Sequence, residues 1–555
     1  MIVRGTKYAV LFCVLTAISF GDLASTNRIV AKSGGAYATI QAGVNAAVAG
    51  DTVIVRAGNY NEMVIVPKSG TEAQNITIRG ESGAIIDGTG LTFPATSSPC
   101  GLVYIENQSY IHLQGFEIRN AVINSTKVFQ AGIFVTGTGT GIQIRNNKVS
   151  NIVNSLKNSG CHGIAVYGTS TTALKEVVLD GNEVFNCQTG WSESVVLNGN
   201  IDGFTVSNNL VHDNNNIGID FIGHEGTCTN ASLDQARNGT CIDNHVYNIT
   251  SKGNAAYGTD QSADGIYVDG GLNILIERNV VDKCDIGIEL ASEWAGKNTE
   301  GITVRNNFVS RSVQGNLQAG GYDSKRGNAV NCIFANNTTF QGAGGELVLQ
   351  FNCHGITVEN NIFVGLSSVG EGYLQQWGSN NTIITVNNNL YWGGSTSTPG
   401  AFADALAIYV NPQLMNTYLD MHLAATSPAI DAGLVYDAGT YDIDKQARIQ
   451  GAKVDLGADE HVKTGNTGIA QPAVGTSGIR VYPNPVTDQV TIDTSSSMQS
   501  ACLSLYNAIG QVLIRQQLVP GITQINLSHY GRGIYYVKVL SGQTTHLVKM
   551  IKNHD

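Results

Sequence analysis

A short motif of the form Gly-Ile-x-Val/Leu, with Phe once in the last place, returns through the middle of this chain and restricts its fold more than any other feature. It stands as Gly132-Ile133-Phe134-Val135, Gly163-Ile164-Ala165-Val166, Gly218-Ile219-Asp220-Phe221, Gly265-Ile266-Tyr267-Val268 and Gly287-Ile288-Glu289-Leu290, and looser copies begin at Ser194, Asn316 and Glu346. After each comes a second short strand that ends in Asn and resumes with an apolar residue, at Asn147, Asn182, Asn209, Asn244, Asn279, Asn307, Asn337, Asn361 and Asn389. The period is roughly 22 to 31 residues, lengthened once by a polar loop between Cys228 and Cys241.

Strands this short alternate inward apolar and outward variable residues, and none buries its apolar side alone. Coiling the chain so that equivalent strands stack about 4.8 Å apart makes one continuous core and brings equivalent Asn residues into a hydrogen-bonded ladder. Leucine-rich and propeller repeats require spacings that are not seen here. The composition agrees: 65 Gly, 10 Pro and 14% charged residues describe a β-rich chain. The expected fold is all-β: a right-handed parallel β-helix with an N-terminal helical cap, followed by a small C-terminal β-sandwich.

The first residues combine a basic start, an apolar run from Tyr8 to Phe20 and the small residues Gly21, Ala24 and Ser25, the pattern of a signal peptide over 1–25. The run is too short for a comfortable membrane span and no later stretch qualifies. A net charge of −11 argues against a general nucleic-acid or anionic-membrane binder. A solenoid also needs its ends covered. Ile40, Val44 and Val48 have helical spacing and read as an amphipathic plug ahead of the strand Gly50-Asp51-Thr52-Val53-Ile54-Val55.

The stretch through Tyr60-Asn61-Glu62 resembles the start of many secreted right-handed β-helix proteins, pectate-lyase-like ones included. Ser427-Pro428-Ala429-Ile430-Asp431-Ala432-Gly433, Arg448 and Val454-Asp455-Leu456-Gly457-Ala458-Asp459-Glu460 look like the closing segment that follows such helices, so the β-helix is assigned to 26–461. A Gly, Thr, Ala and Pro-containing linker occupies 462–478. Beyond it, Ile479-Arg480-Val481-Tyr482-Pro483-Asn484-Pro485, Leu505-Tyr506-Asn507-Ala508-Ile509-Gly510-Gln511 and Gly531-Arg532-Gly533-Ile534-Tyr535-Tyr536-Val537-Lys538-Val539 closely resemble the C-terminal sorting domain of type IX secretion substrates of Bacteroidetes. The alternative for 479–555 is a small carbohydrate-binding β-sandwich. The resemblance implies export through the type IX machinery to a secreted or surface-attached location; the chain is expected to act as a monomer.

Export permits disulfides, but one of the ten Cys, Cys13, lies in the signal peptide, which leaves an odd number. Cys228 and Cys241, bracketing the polar loop, are the expected bridge. Cys161, Cys284, Cys332 and Cys353 read as small buried residues.

With Ile and Val pointing inward, the x position of each motif points outward, as does the residue two further on. The first outward column runs Phe134, Ala165, Val196, Asp220, Tyr267, Glu289, Gln318 and Val348; the second runs Thr136, Tyr167, Asn198, Ile222, Asp269, Ala291, Gly320 and Gln350. Carboxylates gather in the middle rungs, and the turns beside them add His224, Glu225, Glu293, Asp323, Lys325 and Arg326. Like charges one rung apart repel unless a cation, a retained proton or a substrate compensates, which marks the strip as a candidate site. The alternative is a solvated polar face that discourages strand pairing.

Two chemistries suit the strip. The resemblance to pectate-lyase-like proteins implies β-elimination on a uronic-acid polymer, with Asp220, Asp269, Glu289 and Glu293 holding Ca²⁺ and Lys325 or Arg326 as base. The dense Asp-rich calcium motif of the best-known lyases is absent. Hydrolysis needs an acid and a base carboxyl, and Asp220 and Glu289 lie two rungs apart, roughly 9.6 Å. Tyr267, His224, Trp294, Tyr322 and Gln350, with Trp377 near the same edge, are the expected sugar contacts. The chain is thus expected to be a secreted polysaccharide-degrading protein, a lyase first, with a glycoside hydrolase or epimerase, or a non-catalytic glycan-binding or adhesive surface protein, as alternatives.

Overall fold

The apolar residues of the motif stack in register. One inner column runs Ile133, Ile164, Val195, Ile219, Ile266, Ile288, Leu317, Leu347 and Leu374; a second runs Val135, Val166, Leu197, Phe221, Val268, Leu290, Ala319 and Leu349, and all are buried. In this computed structural model the described residues are 25–462, apart from 95–99, 367–371, 395–398, 417–419 and 435–437, and, with short gaps, 479–552. The signal peptide expected over 1–25 and the linker expected at 462–478 fall outside them but for one edge residue each.

Among the described residues, three parallel sheets of 16, 11 and 13 strands wind around the common core. The molecule is a right-handed parallel β-helix. Its 11-stranded sheet, from Val64–Val66 to Leu374–Gln376, carries the motif copies and is the sheet that matters for function.

The Asn column forms an unbroken ladder. Each side-chain oxygen, from Asn182 to Asn389, accepts from the side-chain nitrogen of the Asn one rung back at 2.9–3.2 Å. The same oxygens also accept from the backbone N–H of that residue, so the ladder satisfies the buried backbone N–H at each of these corners. The turn that presents the ladder needs a left-handed residue just before it. Asn146, Asn208, Asn306, Asn336, Asn360 and Asn388 fill that place with φ between 52° and 57°, which accounts for the repeated Asn-Asn pairs.

The motif glycine has a steric reason. A Cβ on Gly265 would stand 2.6 Å from Val281 Cγ1 and 2.9 Å from Cys284 Sγ, inside the core. The backbone therefore bends at this residue, and its predecessor faces outward.

Three expectations are corrected. The N-terminal helix spans only Ile40–Ala46; Ile40 and Val44 are buried, but Val48 lies beyond its end and is exposed, so a plug of the predicted length does not form. The closing segment is laid along the side of the solenoid rather than over its end. Ala429, Leu456 and Ala458 pack on Phe308, Phe340, Ile362 and Leu390, outward residues of successive rungs, while Asn306, Asn336 and Asn360 donate to the carbonyls of Ala438, Asp455 and Leu434. Cys228 and Cys241 are both free. Cys241 belongs to the strand Ala236–Ile242 and points into the core between Val206 and Ile276, whereas Cys228 Sγ faces Ser170 O at 3.4 Å. Cys161, Cys284, Cys332 and Cys353 are buried free thiols, as expected.

The chain divides into two compact units, to Val462 and from Lys463. In the second, antiparallel sheets of three and four strands share a core that includes Val490, Ile492, Leu503, Leu505, Val537 and Val539.

Asn244 tests the ladder. Replacing it with Ala removes the acceptor of Asn209 N and Nδ2 and the donor to Val206 O, all buried. At about 1–3 kcal/mol for each buried group left unsatisfied, the expected loss is at least about 2 kcal/mol, read as a lowered urea midpoint.

Candidate active site

The outward strip is not a solvated face. Asp220, Tyr267, Glu289 and Gln318 are 2%, 6%, 7% and 0% exposed, because loops rise beside the 11-stranded sheet and turn the strip into the floor of a cleft of about 900 Å³. At its lower rungs the same column is filled by packing: Phe134 lies between Tyr104 and Tyr167 at ring distances of 5.7 and 5.4 Å, over Ala165 and Val196. The polar floor begins where the apolar outer cluster ends.

One wall is the loop from Ser251 to Ala263. Buried Asp285 holds its base, accepting from Ser251 N at 2.7 Å, Ala263 N at 3.1 Å and Gln261 Nε2 at 3.2 Å, while Asn254 Nδ2 donates to Gly190 O at 2.8 Å. The wall brings Tyr257, Thr259, Asp260, Gln261 and Ser262 to the cleft, and Tyr257 meets exposed Trp191 at 4.9 Å.

Register sets the floor. Asp220, Tyr267, Glu289 and Gln318 are successive partners, and Ile222, Asp269 and Ala291 form the column beside them. Glu193 and Asp264 join from the position before the motif glycine or its equivalent, and Glu225 and Glu293 from the turns above. Gln318 Nε2 donates to Glu289 Oε1 at 2.8 Å, Glu293 N to Asp269 Oδ1 at 2.7 Å and Asn198 Nδ2 to Glu225 Oε2 at 2.7 Å. Asp220 Oδ1 and Asp264 Oδ1 are buried with no hydrogen-bond partner.

Among the described residues, none of those lining the cleft is Lys, Arg or His. Burial, and then repulsion between neighbours, raise Glu193, Asp220 and Asp269 well above the usual carboxylate range. Asp264 is raised the same way, by burial first and then by Glu289, its hydrogen-bonding partner; burial lifts Glu289 to about 7. The two carboxyls titrate as a pair rather than singly. Beneath Glu193, buried His162 is pushed down to about 4 by desolvation; it donates from Nδ1 to Glu193 O at 3.2 Å and accepts the Tyr167 hydroxyl on Nε2 at 3.2 Å.

The cleft gathers Asp220, Tyr267, Asp269, Glu289, Glu293, Tyr322 and Gln350 from the sequence-based candidates. It leaves out the others. Lys325 is exposed, Arg326 stacks on the Tyr322 ring at 4.3 Å and binds Glu293 O and Asp323, His224 packs against Gln235, and Trp294 and Trp377 are exposed away from the lining. Among the described residues, the group of three His, Cys, Asp or Glu whose ligand atoms lie mutually within 4.8 Å is elsewhere, at His422. Sequence reasoning missed Asp264, Glu193, Trp191 and Tyr257; the first was signalled by its place before the motif glycine.

A protein of Bacillus subtilis (strain 168), the uncharacterized protein YwoF, is 38% identical to this chain over 355 residues, 62% of this chain and 74% of the relative. The chain belongs to the same family as YwoF. Residues 480–553 match the family model of the secretion system C-terminal sorting domain, so the protein is a substrate of type IX secretion, secreted or held at the cell surface. Among the described residues no helix is long and apolar enough to cross a membrane. Solved structures similar to the chain include pectate lyase Pel9A, at 13% identity and TM-score 0.46 over 79% of this chain and 97% of that one. The A-module of mannuronan C-5 epimerase AlgE6 of Azotobacter vinelandii is similar at 15% identity and TM-score 0.45, over 67% and 95%.

Stability should report the retained protons. A carboxyl raised in the folded state stabilises it fully below the unfolded value, and that contribution is lost as pH rises through the folded one. Thermal midpoints are therefore expected to fall between about pH 5 and pH 8, with a shallower slope in Glu289→Gln; a midpoint that rises over this range contradicts the assignment.

Proposed function

We propose that this protein is a secreted glycan-cleaving enzyme that hydrolyses glycosidic bonds in the acidic cleft by acid–base catalysis. What carries the reading is a buried carboxyl pair, Asp264 and Glu289, on the floor of an open cleft whose described lining holds no basic residue. General acid catalysis needs a carboxyl that keeps its proton near neutral pH, and burial of Glu289 meets that need.

In this chemistry Glu289 gives its proton to the glycosidic oxygen, with Asp264 and the Gln318 amide holding its orientation. Asp220, across Tyr267 and roughly 9.6 Å away along the stack, is the facing carboxyl that activates water; because burial and its neighbours raise it too, only the fraction of molecules with Asp220 ionised and Glu289 protonated is active. That separation falls just beyond the roughly 6.5–9.5 Å of inverting enzymes. Trp191 and Tyr257 offer an apolar ledge for a sugar ring.

The second reading is β-elimination on a uronate polymer, and the observation that favours it is the pair of buried, unpartnered oxygens of Asp220 and Asp264, which a cation would satisfy. Lys325 lies outside the cleft lining and Arg326 is engaged by Tyr322 and Asp323, so neither stands as base there.

Screening the purified protein against neutral and acidic glycans, with and without chelator, separates the readings. Hydrolysis gives new reducing ends without an unsaturated uronate chromophore; a chelator-sensitive chromophore establishes elimination instead. With a substrate in hand, Glu289→Gln is expected to lower kcat by about 10²–10⁴-fold, and wild-type kcat/KM to decline above about pH 7 as Glu289 loses its proton. Trp191→Ala is expected to raise KM several-fold with little change in kcat, since a remote stacking contact binds ground and transition states alike.

A further inference from the structure

Outside the cleft, three separate parts of the closing segment bring one imidazole and two carboxylates together. His422 comes from the strand Asp420–Leu423, Asp444 from the turn after Asp442, and Asp459 from the stretch before Glu460; one ligand atom of each lies within 4.8 Å of the others. His422 Nε2 is 3.2 Å from Asp444 Oδ2, close to the roughly 3.3 Å between two ligands of a tetrahedral ion with bonds of about 2.0–2.1 Å. Yet Nε2 is buried and makes no hydrogen bond of acceptable geometry.

The rest of the imidazole is positioned as a metal ligand requires. Its Nδ1 is hydrogen-bonded to Asp420 Oδ1, the orientation by which a carboxylate fixes a ligating histidine and leaves Nε2 to the ion. The Phe308 ring stands edge-on at 5.1 Å and limits rotation. Asp459 is buried and tied to the same strand through Leu423 N, which donates to Oδ2 at 2.7 Å. The nearby cations are engaged elsewhere, Lys445 with Asp243 at 3.3 Å and Arg448 with Glu460 at 3.7 Å.

We propose that His422, Asp444 and Asp459 bind a first-row divalent transition-metal ion that cross-links three parts of the closing segment to one another. The mixed nitrogen and oxygen donors suit Zn²⁺ or Mn²⁺ and are unsuited to Ca²⁺, which takes six to eight oxygens. The site is structural and independent of the cleft chemistry.

The full chain, stripped with chelator and exchanged into metal-free buffer, is titrated with Zn²⁺ by calorimetry and followed by thermal unfolding. One saturable equivalent and a raised midpoint are expected. Both are expected to vanish in His422→Gln and in Asp444→Asn, the latter at a half-exposed position that tolerates change. Asp420→Asn is expected to weaken binding by about 10–100-fold without abolishing it. No saturable binding, or binding unchanged in His422→Gln and Asp444→Asn, overturns the proposal and leaves His422 as an imidazolium held between aspartates.

Discussion

Everything in this molecule depends on rungs stacking in register along one axis. A single slip of one residue would turn the Ile and Val columns outward and break the Asn ladder at the same time. The two devices reinforce each other: inner columns supply apolar burial, and the ladder satisfies the backbone at the corner where the chain leaves the sheet. The bend at the motif glycine belongs to the same design, because the core leaves no room there for a Cβ.

Register also decides the electrostatics. Once inner residues are aligned, outward ones are aligned about 4.8 Å apart, so Asp220, Tyr267 and Glu289 become neighbours although the chain between them is long. The wall from Ser251 to Ala263, held at its base by Asp285, then removes much of the water that would screen them. Crowding and desolvation act in one direction on these acids, and a desolvated histidine beneath them stays neutral. A stack that merely needed solubility would gain nothing from burying this set.

Much of this was legible in the sequence. Period-2 alternation placed Asp220, Tyr267, Asp269 and Glu289 on one outward strip, and the spaced Asn residues marked the ladder. Less legible was whatever depends on a turn's direction. Asp264 precedes a glycine bend that alternation does not describe; Trp191 and Tyr257 lie on loops without periodicity. Lys325 and Arg326 are close to the strip in sequence but leave it in space, since the turn after Tyr322 carries them over the rim. The Cys228–Cys241 expectation failed because half of the apparent loop is a strand whose register sends Cys241 into the core. The closing segment was recognisable by its residues, but its course along the side of the solenoid depends on Asn306, Asn336 and Asn360, whose roles in the turns conceal their second task.

The central claim is that stacking and burial keep a catalytic proton on the Asp264–Glu289 pair near neutral pH. Infrared difference spectroscopy of the carboxyl C=O stretch, comparing the wild-type protein with Glu289→Gln across a pH titration, addresses it directly. In the wild-type-minus-variant difference, a protonated-carboxyl band that persists past pH 6 and disappears around pH 7 is the expected result. A spectrum in which every carboxyl has ionised by about pH 5, as free Asp and Glu do, would contradict the account.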